Sequence, residues 1–297
     1  MLDRFILSHR QVTFRDESRE RIWDEGFRRA ATLARTEVPL PSRSLIEGTR
    51  SVGENSTFYG LAARRAIKQH IGNVWREPDG TFLEFVVLCK WLEALQGTEE
   101  PELETARAAL GTMIQRGLTQ LLCDVDLDQW QRFHNFGFAE GLSSRLWQIH
   151  IAGASAAAYV LMALASREGA TVYLPTAHED ANFGIDLFWI EGRTCHAVSV
   201  KCVGGQDKHV LAWHVTQRPP RNLTDRVSLD MRRIHNGARQ FASQEGRPCV
   251  PVLVYVAKPV DGPIKLDRDW EGLTWPDQIL TTITRRTRVE VSRALRG

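Results

Sequence analysis

The chain has 297 residues and a formal net charge of +2; 43% of its residues are apolar and 25% are charged. This composition is typical of folded globular domains and excludes a largely disordered chain. No stretch reaches the roughly 18 consecutive apolar residues of a membrane span, and the N-terminus lacks the pattern of a signal peptide. The five cysteines form no CxxC pair. We therefore expect a cytoplasmic protein with no membrane contact and no disulfide framework.

The sign of the charge changes along the chain. Residues 1–140 contain 18 Lys and Arg against 21 Asp and Glu, whereas residues 141–297 contain 20 against 15. A chain of this length usually forms about two domains, and we predict the boundary at residues 140 and 141. The mildly basic second half is compatible with a polyanionic partner.

Residues 1–140 have the apolar periodicity of helices. In the first segment, residues 17–35, Ile22, Trp23, Phe27 and Ala30 recur close to helical spacing. Further helices are predicted over residues 56–71, 82–95 and 106–118. The first half is therefore predicted to be an all-helical domain, and it contains no motif that indicates an activity.

The pattern changes after residue 141. A long helix is predicted over residues 142–168 and a second helix over 225–245. Short apolar runs predict strands over residues 170–174, 184–190, 195–203 and 250–257, with a polar loop over 176–182. This order predicts an α/β domain over residues 141–297, in which a mixed sheet is flanked by helices.

Three residues in two of these strands carry the chemistry. Asp186 lies in an otherwise apolar strand, where a carboxylate is costly unless it is paired or binds a metal. Because strand side chains alternate, Ser199 and Lys201 share one face of the next strand. A reversal near residues 191–194 brings Asp186 opposite Ser199. A metal-binding acid beside a lysine suits phosphodiester hydrolysis, although the spacing alone is equally compatible with a buried ion pair without chemistry.

Two tripeptides within this order of elements resemble a known family. Gly184-Ile185-Asp186 and Ser199-Val200-Lys201, in a helix–strand–strand–strand–helix–strand order, resemble the PD-(D/E)XK nuclease superfamily over about residues 142–257. The resemblance implies a restriction-endonuclease-like fold and a Mg²⁺- or Mn²⁺-dependent DNA endonuclease. It implies Asp186 as a metal ligand, the Val200 carbonyl as a further metal contact and Lys201 as the catalytic lysine. Ser199 is expected to hydrogen-bond a metal-bound water.

The sequence departs from the family at two positions where an acid is usual. Ser199 precedes the lysine by two residues, and Ala158 occupies the matching place on the first helix. Glu179 and Asp180, just before the Asp186 strand, are therefore predicted to supply a second acid, with Glu179 catalytic and Asp180 a metal ligand. The later helix offers two further acids, Asp225 and Asp230.

Four arginines on the helix predicted over residues 225–245 are candidate phosphate contacts: Arg226, Arg232, Arg233 and Arg239. The alternative reading is a solvated helix face.

Three functional hypotheses follow. The first is a DNA endonuclease of a prokaryotic restriction, defence or transposition system, acting alone, as a homodimer or with a protein partner. The second is a catalytically inactive nuclease fold that binds nucleic acid or a protein partner, which the missing helix acid favours. The third is an unrelated fold in which Asp186 and Lys201 form a plain ion pair.

Overall fold

The structure is a computed structural model. It describes residues 6–8, 20–46, 51–72, 79–96, 100, 103–124, 144–204, 209–215 and 226–258. The chain forms two compact units, one of residues 1–2 and 14–154 and one of residues 3–13 and 155–297. The predicted boundary at residues 140 and 141 lies outside the described residues.

The first unit is helical throughout its described part. Its helices are α1 (Glu20–Ala34), α2 (Arg43–Ile46), α3 (Val52–Ile71), α4 (Asp79–Gln96) and α5 (Glu104–Asp124). Ser51 caps α3 because its side chain accepts a hydrogen bond from the Glu54 amide. The apolar helix α4 packs against α1, α3 and α5. It buries Phe82, Leu83, Val86 and Trp91, which therefore form the centre of this unit.

The division between the units falls within the long helix α6 (Ser144–Ala165). The second unit then consists of a sheet and two further helices. Its strands are β1 (Ile6–Ser8), β2 (Ala170–Tyr173), β3 (Leu187–Glu191), β4 (Thr194–Gly204), β5 (His209–His214) and β6 (Val250–Lys258). Its other helices are α7 (Ala177–Phe183) and α8 (Arg226–Glu245).

The described strands form one mixed sheet in the order β1-β2-β3-β4-β6-β5. Strands β4 and β6 are parallel, and every other neighbouring pair is antiparallel. Two parallel strands require a crossover connection, and α8 lies within the connection from β4 to β6. One face of α8 buries Val227, Met231, Ile234 and Phe241 in a core that it shares with the sheet. The α/β class and the mixed sheet are thus confirmed.

Three described strands and two helices differ from the prediction, and the short helix α2 is one of the elements that were not predicted. The segment predicted as a polar loop over 176–182 contains α7, because Thr176 and Glu179 form a capping box at its start. Strands β1 and β5 were not predicted. Strand β3 begins at Leu187, so Asp186 lies immediately before the strand instead of within it.

Among the described residues, none of the helices has the length and apolarity needed to cross a membrane.

Candidate functional site

The approach to Asp186 is set by the end of α7. Gly184 caps this helix in the left-handed conformation (φ 63°, ψ 34°), which glycine adopts without a Cβ penalty. The chain then enters the sheet. The Asp186 amide donates to the Val198 carbonyl at 2.9 Å, directly beyond the Leu187–Val198 pair. This bond holds Asp186 beside β4, where its side chain contacts Ser199.

Three donor groups of β4 contact the Asp186 carboxylate. Its Oδ2 atom accepts hydrogen bonds from Ser199 Oγ at 3.0 Å and from the Val200 amide at 2.6 Å. Lys201 Nζ lies 3.4 Å from the same oxygen. The side chains of Asp186 and Lys201 are 13% and 24% exposed, and Ser199 is buried. The structure therefore brings Asp186, Ser199 and Lys201 together in a partly buried charge pair.

Two oxygen atoms near this pair could bind a cation: Asp186 Oδ1 and the carbonyl oxygen of Val200. The described hydrogen bonds to the Asp186 carboxylate all end on Oδ2. The Val200 amide points to the edge of β4 that faces Asp186, and the N–H and C=O groups of one strand residue point to the same edge. The Val200 carbonyl therefore points past the start of β3, toward the side of Asp186.

A second acid lies on the same face of the sheet. Lys201 pairs with Tyr255 across the parallel β4–β6 ladder, so both side chains lie on the face that α8 covers. The Tyr255 hydroxyl donates to Asp230 Oδ2 of α8 at 2.5 Å. Tyr255 was missed at the sequence level, because its place beside Lys201 depends on β4 and β6 being neighbours.

Glu179 and Asp180 lie on α7, with Glu179 buried. The Glu179 carboxylate accepts a hydrogen bond from the Thr176 amide at 2.7 Å, and the Thr176 hydroxyl accepts one from the Glu179 amide at 3.2 Å. Across the described residues, no group of three or more His, Cys, Asp or Glu side chains is placed to bind a metal. Asp186, Glu179 and Asp180 are therefore not gathered into such a group. The roles expected of Glu179 and Asp180 stay predictions.

The first helix of the α/β unit carries no acid at the expected place. Ala158 is completely buried in α6, among Ala154, Ala156, Ala157 and Leu161, which are also buried. A carboxylate at this position would be costly in such surroundings. The alanine that stands where the family usually has an acid is therefore a buried residue of α6.

The four candidate arginines occupy different positions on α8. Arg226, Arg233 and Arg239 are exposed, and Arg232 is half-buried with its Nε atom 3.5 Å from the Ser228 carbonyl. A methyl group added to Gly184 would lie 3.5 Å from the Arg233 side chain. Arg233 is therefore the arginine of this set that contacts the turn leading to Asp186. Asp225 lies outside the described residues.

A close helix contact positions α8 beside the site. A Cβ at Gly237 would lie 1.8 Å from the Phe183 carbonyl oxygen at the end of α7. The absence of a side chain at Gly237 therefore lets α8 pack onto the helix that leads into Asp186.

Comparison of this chain with known proteins gives no match: no family model, no curated protein and no solved structure is significantly similar to it.

Proposed function

We propose that this protein is a metal-dependent endonuclease that hydrolyses phosphodiester bonds of DNA. The observation that carries the proposal is the partly buried contact of Asp186 with Lys201 and Ser199, at a point where β3 has not yet begun. A charge pair in this position costs desolvation, and it offers both an acid for a cation and an ammonium group for a phosphate.

The atoms at this point fit a hard divalent cation. Asp186 Oδ1 and the Val200 carbonyl would be its oxygen ligands, and Mg²⁺ commonly binds through one or two carboxylates while it keeps several waters. We assign Asp230 as the second acid, because its hydrogen-bond partner Tyr255 pairs with Lys201 across the β4–β6 ladder. A bound Mg²⁺ or Mn²⁺ would neutralise phosphate charge and acidify a water molecule.

The residues of the chain have distinct roles in this proposal. Ser199 and the Val200 amide fix the orientation of the Asp186 carboxylate. The Lys201 ammonium group, which is partly exposed, stabilises the negative charge that builds up on the phosphate as water attacks phosphorus. The bond from phosphorus to the leaving oxygen then breaks, which yields a phosphomonoester and a free hydroxyl.

Contact with the DNA backbone is assigned to α8. Its exposed arginines, Arg226, Arg233 and Arg239, supply positive charge for phosphates. Arg233 lies beside the turn that leads to Asp186, since a Cβ at Gly184 would be 3.5 Å from its side chain. A restriction, defence or transposition role in a prokaryotic cytoplasm, alone or as a homodimer, is part of the same proposal and rests on the family resemblance.

The proposal is tested by incubating the purified chain with supercoiled and linear DNA in Mg²⁺ or Mn²⁺. We expect cutting by the parent protein, no cutting in EDTA, and loss of cutting in Asp186→Asn and Lys201→Met. The matched controls are Glu54→Gln and Lys68→Met, which change exposed groups on α3 in the helical unit. Equal cutting by the parent and both site variants would overturn the proposal.

A second candidate function is a nuclease-fold subunit that binds nucleic acid or a protein partner without cutting. It is favoured by the buried Ala158 at the usual place of an acid and by the use of the Glu179 carboxylate as a helix cap. Retained DNA binding in a mobility-shift assay, together with no metal-dependent cutting, would select this function. Loss of binding in Arg233→Ala would then assign the contact to α8.

A further inference from the structure

Two cysteines face each other at the start of the parallel β4–β6 ladder. Cys195 lies on β4, and Cys249 immediately precedes β6. The register pairs His196 with Val250, so one step back along both strands places Cys195 opposite Cys249. Neighbouring strands lie about 4.8 Å apart, which is within the Cα separation of disulfide-bonded cysteines. The two Sγ atoms are 2.7 Å apart.

The surroundings make one of these thiols the more acidic. The Cys249 thiol donates a hydrogen bond to Cys195 Sγ, and this contact is the main cause that lowers the pKa of Cys195. Burial acts in the opposite direction, whereas the positive charge of Arg247 and a hydrogen bond with Tyr173 also lower the pKa of Cys195, which is lowered on balance. The pKa of Cys249 is raised by its contact with Cys195 and by burial. Cys195 is therefore the nucleophile of the pair.

The pair is also within reach of small reagents. Cys195 is buried, but Cys249 is half-buried and follows the exposed residues Arg247 and Pro248. Because Cys249 Sγ also contacts the Arg247 carbonyl, the thiols lie at the surface end of the ladder. The side from which a small disulfide approaches the pair is therefore that of Cys249 and the exposed Arg247.

We propose that Cys195 and Cys249 are a redox-reactive thiol pair that forms a reversible disulfide with a low-molecular-weight disulfide as the oxidant. The Cys195 thiolate attacks one sulfur of the oxidant; its S–S bond breaks and one small thiol leaves with a proton from water. The Cys249 thiol then loses its proton to solvent and attacks Cys195 in the mixed disulfide, which releases the second small thiol. The protein loses two electrons and two protons, and the oxidant becomes two thiols.

This bond would cross-link the start of β4 to the segment that enters β6. The two cysteines are 54 positions apart, and the loop between them contains Ser199, Lys201 and α8 with Asp230. Closing a loop of this length reduces the entropy of the unfolded chain. We therefore expect oxidation to raise the melting temperature by about 5 °C or more and a thiol reductant to reverse the rise.

The experiment uses the full chain, reduced and then treated with oxidised glutathione. Alkylation in denaturant followed by mass spectrometry counts the thiols. Of the five cysteines, we expect five to be alkylated before oxidation and three afterwards, with Cys195 and Cys249 linked in the peptide map. Five alkylated cysteines after oxidation, stable glutathione adducts on single cysteines or a link between other cysteines would overturn the proposal.

Three variants separate this pair from the other thiols. Cys195→Ser and Cys249→Ser should each abolish both the link and the rise in melting temperature. Cys202→Ser is the matched control, because Cys202 is a half-buried cysteine on the same strand β4, and it should keep both. A link that survives Cys249→Ser would contradict the assignment whether or not Cys195→Ser folds. This inference does not depend on the nuclease proposal.

Discussion

At the scale of single residues, the energetics of Asp186 and Lys201 differ from those of a surface ion pair. Asp186 accepts three donors, and both side chains are mostly buried. Removing one partner of such a pair leaves the other charge in surroundings of low polarity, which costs more than the pair itself contributes. The stability of single and double variants therefore reports how far the site is shielded from water.

We expect Lys201→Met to lower the free energy of unfolding by about 1–3 kcal/mol, because it leaves the Asp186 carboxylate without its cation. The double variant Asp186→Asn/Lys201→Met should recover part of that loss, with a coupling of about 1 kcal/mol. Urea unfolding of the four proteins measures the coupling. Additive losses would show that the two charges do not interact.

Burial of histidines predicts how stability depends on pH. Burial lowers the pKa of His150 to about 4 and also lowers the pKa values of His196 and His214. The unfolded chain takes up these protons near pH 6.5, whereas the folded chain does so only at lower pH. The contribution of these neutral histidines to the free energy of unfolding is therefore fully present above pH 6.5 and is lost as the pH falls toward 4.

Replacing His150 by Gln removes one of these protonations. We expect the loss of stability between pH 6.5 and 4.5 to become smaller in His150→Gln by at most about 3 kcal/mol. Denaturant unfolding across this range measures the difference in slope. A variant slope identical to that of the parent would contradict the assignment.

At the scale of the elements, α7 and its junction with α8 determine where Asp186 lies. Gly237 packs against the Phe183 carbonyl, so Gly237→Ala should destabilise the protein by about 2 kcal/mol or more. The matched control is Gly117→Ala on α5, where a Cβ meets no atom within 4 Å; it should stabilise by about 0.5–1 kcal/mol. Thermal unfolding of both variants tests this contrast, and equal effects would contradict it.

The capping box of α7 separates a structural role of Glu179 from a catalytic one. Thr176→Ala removes the hydrogen bond from the Glu179 amide, and Glu179→Ala removes the one from the Thr176 amide. Each variant therefore loses one bond of the capping box and should lower the free energy of unfolding by about 1 kcal/mol. Cleavage is assayed beside unfolding. If Glu179→Ala abolishes cutting while Thr176→Ala retains it, Glu179 has the catalytic role predicted from the sequence; retained cutting in both assigns it to the cap alone.

At the scale of the whole molecule, contacts between segments close in sequence could be predicted more accurately than the pairing of distant strands. Asp186 and Ser199 lie only 13 positions apart, so the predicted chain reversal near residues 191–194 was sufficient to predict their contact, although Asp186 lies just before β3 and not within it. The pairing of Lys201 with Tyr255 links segments more than 50 residues apart, and no local pattern specifies it. Strands β1 and β5 are only three and six residues long, and their short apolar runs were not interpreted as strands. The start of α7 was readable from Thr176 and Glu179, but its polar composition favoured a loop.

The most direct measurement compares the rates of plasmid cleavage by the parent and Asp186→Asn in Mn²⁺, at equal folded fractions established by circular dichroism. We expect the rate to fall by at least about 100-fold in the variant, because the carboxylate that provides Oδ1 is neutralised. Metal-dependent cleavage at the same rate by both proteins would contradict it. Absence of cleavage by the parent, together with retained DNA binding, would instead select the function of binding without hydrolysis.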